Sequence, residues 1–346
     1  MKIAHAAAVA IVSCSSLCGC SLAGVPAIPP GDGAARAVAP FHEPIDAQAV
    51  ISIANFGGSD ILGFPLNARG NTPPIVDLGG PKTEFSNPTT VGVDASGTQY
   101  TLLRTFDAGR TRIGEFAGGS TGDVSPTRTI TDAIASHHGR LVTSDPAGTV
   151  FLLYLDSNSD SGIDVFAPGS HGVVMPSREI AGHKTLMDTQ ETIVSLFADT
   201  SGAVWWACDG EVGIPRVVGF APHANGDVAP AVVLPSDPIT QIVAPTFAGV
   251  DALGEVFVNS VGASPAVQVF AKGATGDVSP IRTTQLPANF YLMTVYKMVL
   301  VADGIHGLDN PAIGVFSAKA SGPQRPLRLI TGHKTKLNQP AGVAIN

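Results

Sequence analysis

FAKGATGDVSPIRTT, residues Phe270 to Thr284, places Gly276 six positions and Pro280 ten positions after its opening Phe. The same frame recurs at Phe64/Gly70/Pro74, Phe116/Gly122/Pro126, Phe166/Gly172/Pro176, Phe220/Gly226/Pro230 and Phe316/Gly322/Pro326. The copies lie 46 to 54 residues apart. One supersecondary unit repeated six times at that period is how a propeller or a solenoid is written.

A second landmark keeps the same beat. Pro88 precedes Asp94, Pro245 precedes Asp251 and Pro340 precedes Asn346, each by six residues, with Gly97 and Gly254 three after the two acids. Looser copies stand at Asp145/Gly148 and Asp199/Gly202. Asp-x-x-Gly suits a tight hairpin, because the Asp carboxylate accepts from its own backbone and Gly takes positive φ. The flanking runs, such as Val150 to Leu155 and Val256 to Val258, have strand length and composition. Each repeat therefore predicts four strands: a ends at the Asp, b follows the Gly, c ends at the Phe, and d carries Pro-x-Arg-x-Ile. Val50 to Asn55 reads as a strand b with no strand a before it, and residues 340–346 as a strand a with no strand b after it. The expected fold is all-β, a six-bladed β-propeller of four-stranded antiparallel blades, with the C-terminal strand completing the N-terminal blade so that no unfinished edge remains. A solenoid would want atypical caps at both ends.

Composition agrees. The 346 residues are 44% hydrophobic and 14% charged, with 39 Gly and 27 Pro in regular punctuation, enough chain for a large core of short strands. The formal charge of −8 argues against a nucleic-acid partner, which calls for clustered cations. Arg128, Arg178, Arg282 and Arg328 come one per repeat on strand d, where charge guards a sheet edge.

Lys2, the apolar run Ala6 to Val12 and Leu17-Cys18-Gly19-Cys20 resemble a bacterial lipoprotein signal, in which the final Cys is lipidated. Ile11-Val12-Ser13-Cys14 is a competing match. The apolar run is too short to span a bilayer. The resemblance implies a signal over residues 1–19, lipid on Cys20, and, with Ser21 rather than Asp next, delivery to an outer membrane. Residues 20–48 read as the lipidated Cys and a tether, of which 21–48, rich in Ala, Pro and Gly, reach up to about 85 Å at roughly 3.1 Å per residue, and 49–346 as the propeller. Cleavage leaves Cys20 and Cys208, so no disulfide framework is expected; Cys208, beside Trp205 and Trp206, reads as a small buried hydrophobe.

The repeat resembles that of NHL-type and gluconolactonase-like six-bladed propellers, whose blades read Phe-x-x-Gly-x-x-Gly-Asp-Val-x-Pro-x-Arg-x-Ile and Pro-x-Gly-Val-x-x-Asp-x-x-Gly-x-x-Tyr-Val; Phe270 to Thr284 and Pro245 to Val258 are close copies. The resemblance covers residues 50–346. It implies the fold and leaves activity open, since such propellers bind proteins, bind small ligands or catalyse. The gluconolactonase-like members hold a divalent metal with Glu, Asn and Asp after a Glu-Gly-Pro-x-Trp start. That start does not occur here, so their ligands do not carry over.

By the same resemblance, ligands sit on the face carrying the d-to-a and b-to-c loops. Those loops hold His137, His138, His183, Lys184 and His333 from the first class, and Arg104, Asp107, Arg110, Asp156, Asp160, Asp209, His306 and Asp309 from the second. Polar residues belong in solvent loops in any case. Gly182-His183-Lys184-Thr185 and Gly332-His333-Lys334-Thr335 repeat one another, which points to structure, because one active centre needs its residues once. Asp156, Asn158 and Asp160 resemble the opening of a calcium loop, but Ser161 and Ala167 stand where that loop has Gly and Glu. Gly118 to Gly122 fits a nucleophile-elbow pattern, yet falls in a c-to-d hairpin rather than a strand-to-helix turn. No tight ligand spacing is present, so no metal or cofactor is expected. The expected role is a membrane-tethered envelope module binding a protein or small molecule on the propeller face; the alternative is a lactonase or lyase acting at the channel mouth.

Overall fold

The computed structural model describes residues 48–104, 110–187, 193–210, 214–261, 266–287, 290–297, 299–304 and 311–346. They belong to one compact unit, Glu43–Asn346, of six small antiparallel sheets. Cys20, Asp107, His306 and Asp309 lie outside the described residues. No helix among the described residues is long and apolar enough to cross a membrane.

The four antiparallel strands of each sheet are the blade read from the repeat, and two sheets add a short parallel strand from the next blade, Gly172–Val174 beside Arg128–Asp132 and Gly322–Pro323 beside Arg282–Gln285. In the third blade, His138–Ser144, Val150–Leu155, Ser161–Phe166 and Arg178–Ile180 pair in that order as strands a to d. In the first blade, strand a is Pro340–Ile345, which pairs with Val50–Asn55 in the register Ile51 to Ile345, Ile53 to Val343 and Asn55 to Pro340. The ring is thus closed by chain segments almost three hundred residues apart, and the Asn346 side chain accepts from the Val50 N–H at 3.2 Å.

The repeated residues are the joints between blades. All six Phe side chains are buried, and each packs into the core shared with the preceding blade: Phe116 with Ile61 and Leu78, Phe270 with Val217 and Leu234, Phe64 with Val315 and Ile330 across the closure. Burying such a side chain contributes roughly 1.5–3 kcal/mol. The Gly six residues on stitches the outer rim. Gly122 (φ 76°) donates its N–H to Asp77 O at 2.7 Å, Gly276 to Val233 O at 2.7 Å and Gly70 to Leu329 O at 2.6 Å, each a contact with the preceding blade's strand d. A Cβ on these glycines would meet nothing within 4 Å, so the positive φ, and not crowding, selects Gly.

The repeated arginines lie on strand d as expected, but three of the four reach across to the next blade instead of guarding an edge. Arg178 donates to Ala224 O at 2.8 Å, Arg282 to Ala318 O at 3.3 Å and Arg328 to Leu66 O at 3.5 Å. Arg128 pairs within its own blade with Glu115 at 2.6 Å. The physical reason is that strand d is covered by the neighbouring c-to-d hairpin and so is not an open edge.

Candidate functional site

The strands a of all six blades line an axial cavity of about 740 Å³. Its wall mixes apolar side chains, among them Leu196, Phe197, Phe247 and Tyr296, with the hydroxyls of Thr90, Thr143, Thr246 and Thr294. Phe197 and Phe247 meet edge to face at 5.9 Å. Asp94, Asp199 and Asp251 stand at one end of this wall, but each is engaged by its own hairpin. Asp94 Oδ1 accepts from the N–H groups of Ser96 (2.8 Å) and Thr98 (3.0 Å), and Asp251 Oδ1 from those of Leu253 (2.9 Å) and Glu255 (3.0 Å). Asp199 repeats the pattern. These hydrogen bonds, together with those from Ser96 and Tyr100 side chains, hold the Asp94 carboxyl below its ordinary range against the opposing effect of burial.

Several of the candidates named from the sequence lie in turns and at strand ends. Asp156 Oδ1 accepts from Asn158 N at 2.7 Å and Asp160 N at 2.9 Å, the same two-bond turn as Asp94, so the calcium-like run is a hairpin cap that ties up its first carboxylate. His183 and His333 are exposed on short 3-10 turns. Those turns are held from the next blade, because Lys184 N donates to Asp227 at 2.6 Å and Lys334 N to Asn71 at 2.7 Å. Arg104 donates to Phe85 O at 3.1 Å. Asp209 is half-buried just past strand Val204–Cys208. His138 is exposed at the start of its strand.

One cluster breaks the repeat. Its members come from the junction of the second and third blades: Asp132 at the end of Arg128–Asp132, His137 in the following turn, Tyr154 and Asp164 on two inner strands of the third blade, and Glu179 on its outer strand. His137 Nδ1–H donates to Asp164 Oδ2 at 2.7 Å, and Asp132 Oδ2 is 3.7 Å from the same nitrogen. Nε2 faces Glu179 Oε1 at 3.8 Å. The imidazole stacks on Tyr154 with ring centres 3.6 Å apart, and the Tyr154 hydroxyl donates to Glu179. Arg110, a candidate by its loop position, donates to the main-chain carbonyls of Asp132 (3.1 Å) and Ala133 and so shapes this turn without meeting its carboxylates.

Burial and charge make the cluster tense. Asp132 and Asp164 are 1% and 0% exposed. Asp132 Oδ1 caps its own turn through Ile134 N at 2.9 Å, leaving Oδ2 without a hydrogen-bond partner, and Asp164 Oδ1 has none either. The Asp132 carboxyl is pushed far above the usual carboxylate range, first by burial and then by the Asp164 charge. Burial works to lower the His137 pKa, but the hydrogen bond to Asp164 and the charges of Asp164, Asp132 and Glu179 override it and raise the pKa. Burial, then Glu179, raises that of Tyr154.

Spacing along the chain does not display this set, since Asp132, His137 and Asp164 are brought together by blade packing. Comparison among the repeats does. The residue five after the turn's first position is apolar and buried at Phe85, Met187, Ile242 and Leu337, and is His137 here. Likewise the residue two before the repeated Phe is Leu62, Gly114, Val218, Gln268 or Gly314 elsewhere, and Asp164 here.

No family model matches the sequence, and no curated protein matches it. Among solved structures, a Bacteroides caccae protein of unknown function is similar at a TM-score of 0.56 and 10% identity, over 86% of this chain and 98% of that one. A Lactobacillus plantarum protein gives a TM-score of 0.44 at 11% identity, over 86% and 99% of the two chains. At such identity the first likeness speaks for the fold alone, a six-bladed β-propeller, and the second carries no argument.

Proposed function

We propose that the chain is a lipid-anchored protein of the bacterial envelope whose propeller binds an uncharged, partly apolar ligand in its axial cavity. The observation that carries the binding half is the cavity wall: aromatic and aliphatic side chains set among threonine hydroxyls, with the adjoining carboxylates occupied by their own turns. Such a wall favours apolar surface with a few neutral hydrogen-bonding groups over a charged substrate. The NHL-type resemblance supports the reading, since ligand and protein binding are common roles of that fold, and the lipobox-like Leu17 to Cys20 supports the anchor. The lactonase or lyase alternative needs acid, base or metal groups converging on the cavity. Among the described residues, the buried polar cluster lies between two blades and away from that wall.

Two measurements test the proposal. Fatty-acid labelling followed by fractionation should find wild type labelled in the membrane fraction, whereas Cys20→Ser loses the label and Cys14→Ser keeps it; label retained in Cys20→Ser refutes the anchor. Binding of a neutral solvatochromic dye such as Nile red to the purified propeller should weaken at least tenfold in Thr246→Trp, which fills the cavity. Unchanged dye affinity in a folded Thr246→Trp protein refutes the cavity as the binding site.

A further inference from the structure

We propose that Asp132, His137 and Asp164 form a buried divalent-metal site that staples the second blade to the third, with Glu179 as the positioning residue that orients the imidazole. The three side chains each offer one donor atom, all within 4.8 Å of one another. Zinc and related ions bound by imidazole and carboxylate place their donors 2.0–2.2 Å from the metal. Tetrahedral donors at that radius are roughly 3.4 Å apart, so the Nδ1–Asp164 pair has to open by about 0.7 Å and the Nδ1–Asp132 pair to close by about 0.3 Å. The 2.7 Å contact between Nδ1 and Asp164 widens as the metal replaces the proton between them, and the 3.7 Å gap to Asp132 narrows.

An orphaned oxygen points independently to a cation. Asp132 Oδ2, the oxygen 3.7 Å from His137 Nδ1, is buried without a hydrogen-bond partner, a costly condition for a carboxylate oxygen that metal ligation relieves. A divalent ion balances the two aspartates with the imidazole neutral. Nε2–H is then left facing Glu179, the carboxylate-histidine-metal arrangement that fixes the ring and its tautomer. Tyr154 closes one side of the imidazole and holds Glu179 in turn. One imidazole with two carboxylates suits zinc or manganese better than calcium or magnesium, which take oxygen ligands. The three side chains fill three of the four positions of a tetrahedral ion, and burial at a blade junction, apart from the cavity wall, gives the site a structural role. The inference stands apart from the proposed ligand in the channel, and either can fail alone.

The test uses the purified full propeller, stripped with chelator and titrated with zinc chloride or manganese chloride alone. The expected result is one ion per chain by elemental analysis after dialysis and a rise in melting temperature on loading with zinc or manganese. His137→Met, which installs the residue that the next junction carries as Met187, should lose the bound ion and the metal-dependent shift. Glu179→Gln, outside the ligand set, should keep the site but weaken its metal affinity about 10- to 100-fold. Cobalt substitution adds a readout that a merely structural role for these residues would not move, since visible absorption bands from a nitrogen and oxygen ligand set should appear in wild type and vanish in His137→Met. Substoichiometric metal with no shift for either ion, or equal shifts in wild type and His137→Met, would overturn the proposal and leave a protonated histidine bridging two carboxylates.

Discussion

Gly122 shows how much a single position carries. Its φ of 76° lets the c-to-d hairpin fold back and place its N–H on the neighbouring strand d. Since a Cβ there would touch nothing, Gly122→Ala should cost only the left-handed conformation, about 1–2 kcal/mol. Gly122→Asn should cost less, because Asn tolerates that region. Urea denaturation of both variants checks the order; an alanine variant as stable as wild type contradicts the role given to this residue. The same scale explains what the sequence did and did not reveal. Gly and Phe announce themselves by recurring, whereas His137 and Asp164 occur once, and a residue that occurs once looks like any polar residue until its register is aligned with Met187 and Val218. His138, the neighbour of His137 at the start of the following strand, lies outside the cluster.

Among elements, strand d and the hairpin of the following blade form the joint. Arg282 holds Glu255 on its own blade at 3.1 Å through one oxygen and the Ala318 carbonyl of the next blade at 3.3 Å. Its hydrogen bonds and charge draw the Glu255 carboxyl below its ordinary 4.5. A depressed carboxyl contributes stability that is fully present above the unfolded pKa and disappears as pH falls through the folded one. Wild type should therefore lose stability below about pH 4.5, more steeply than Glu255→Gln does. At neutral pH, Arg282→Ala should lower stability by about 1–3 kcal/mol by removing bonds to a charged group. Denaturation across pH 3 to 7 reads both effects, and parallel acid limbs in wild type and Glu255→Gln contradict the pairing. Strand positions were legible from the Phe, Asp and Pro frame. The arginines' partners were not, because a repeat shows which residues recur and is silent on which neighbouring unit they reach.

For the whole molecule, six nearly equivalent joints must be satisfied at once, and the closure joint is the one made by residues far apart in sequence. Phe64 packs against the sixth blade, Gly70 bonds Leu329, and Pro340–Ile345 supplies the innermost strand of the first blade. The axial cavity depends on that closure, since residues 341–346 form part of its wall. Ring closure was readable because the first repeat lacks a strand a that residues 340–346 can supply; the cavity's lining was not, because the repeat frame marks the ends of strand a and not which of its side chains face the axis. The central claim is that this six-joint ring, closed by one strand, is the working fold. Its most direct test is thermal unfolding of a variant lacking residues 340–346 beside one lacking seven residues of the 20–48 segment. The first should melt lower by about 10 °C or more, several kcal/mol for a domain of this size, and the second should match the full chain. Equal melting temperatures for the two deletions would contradict the account.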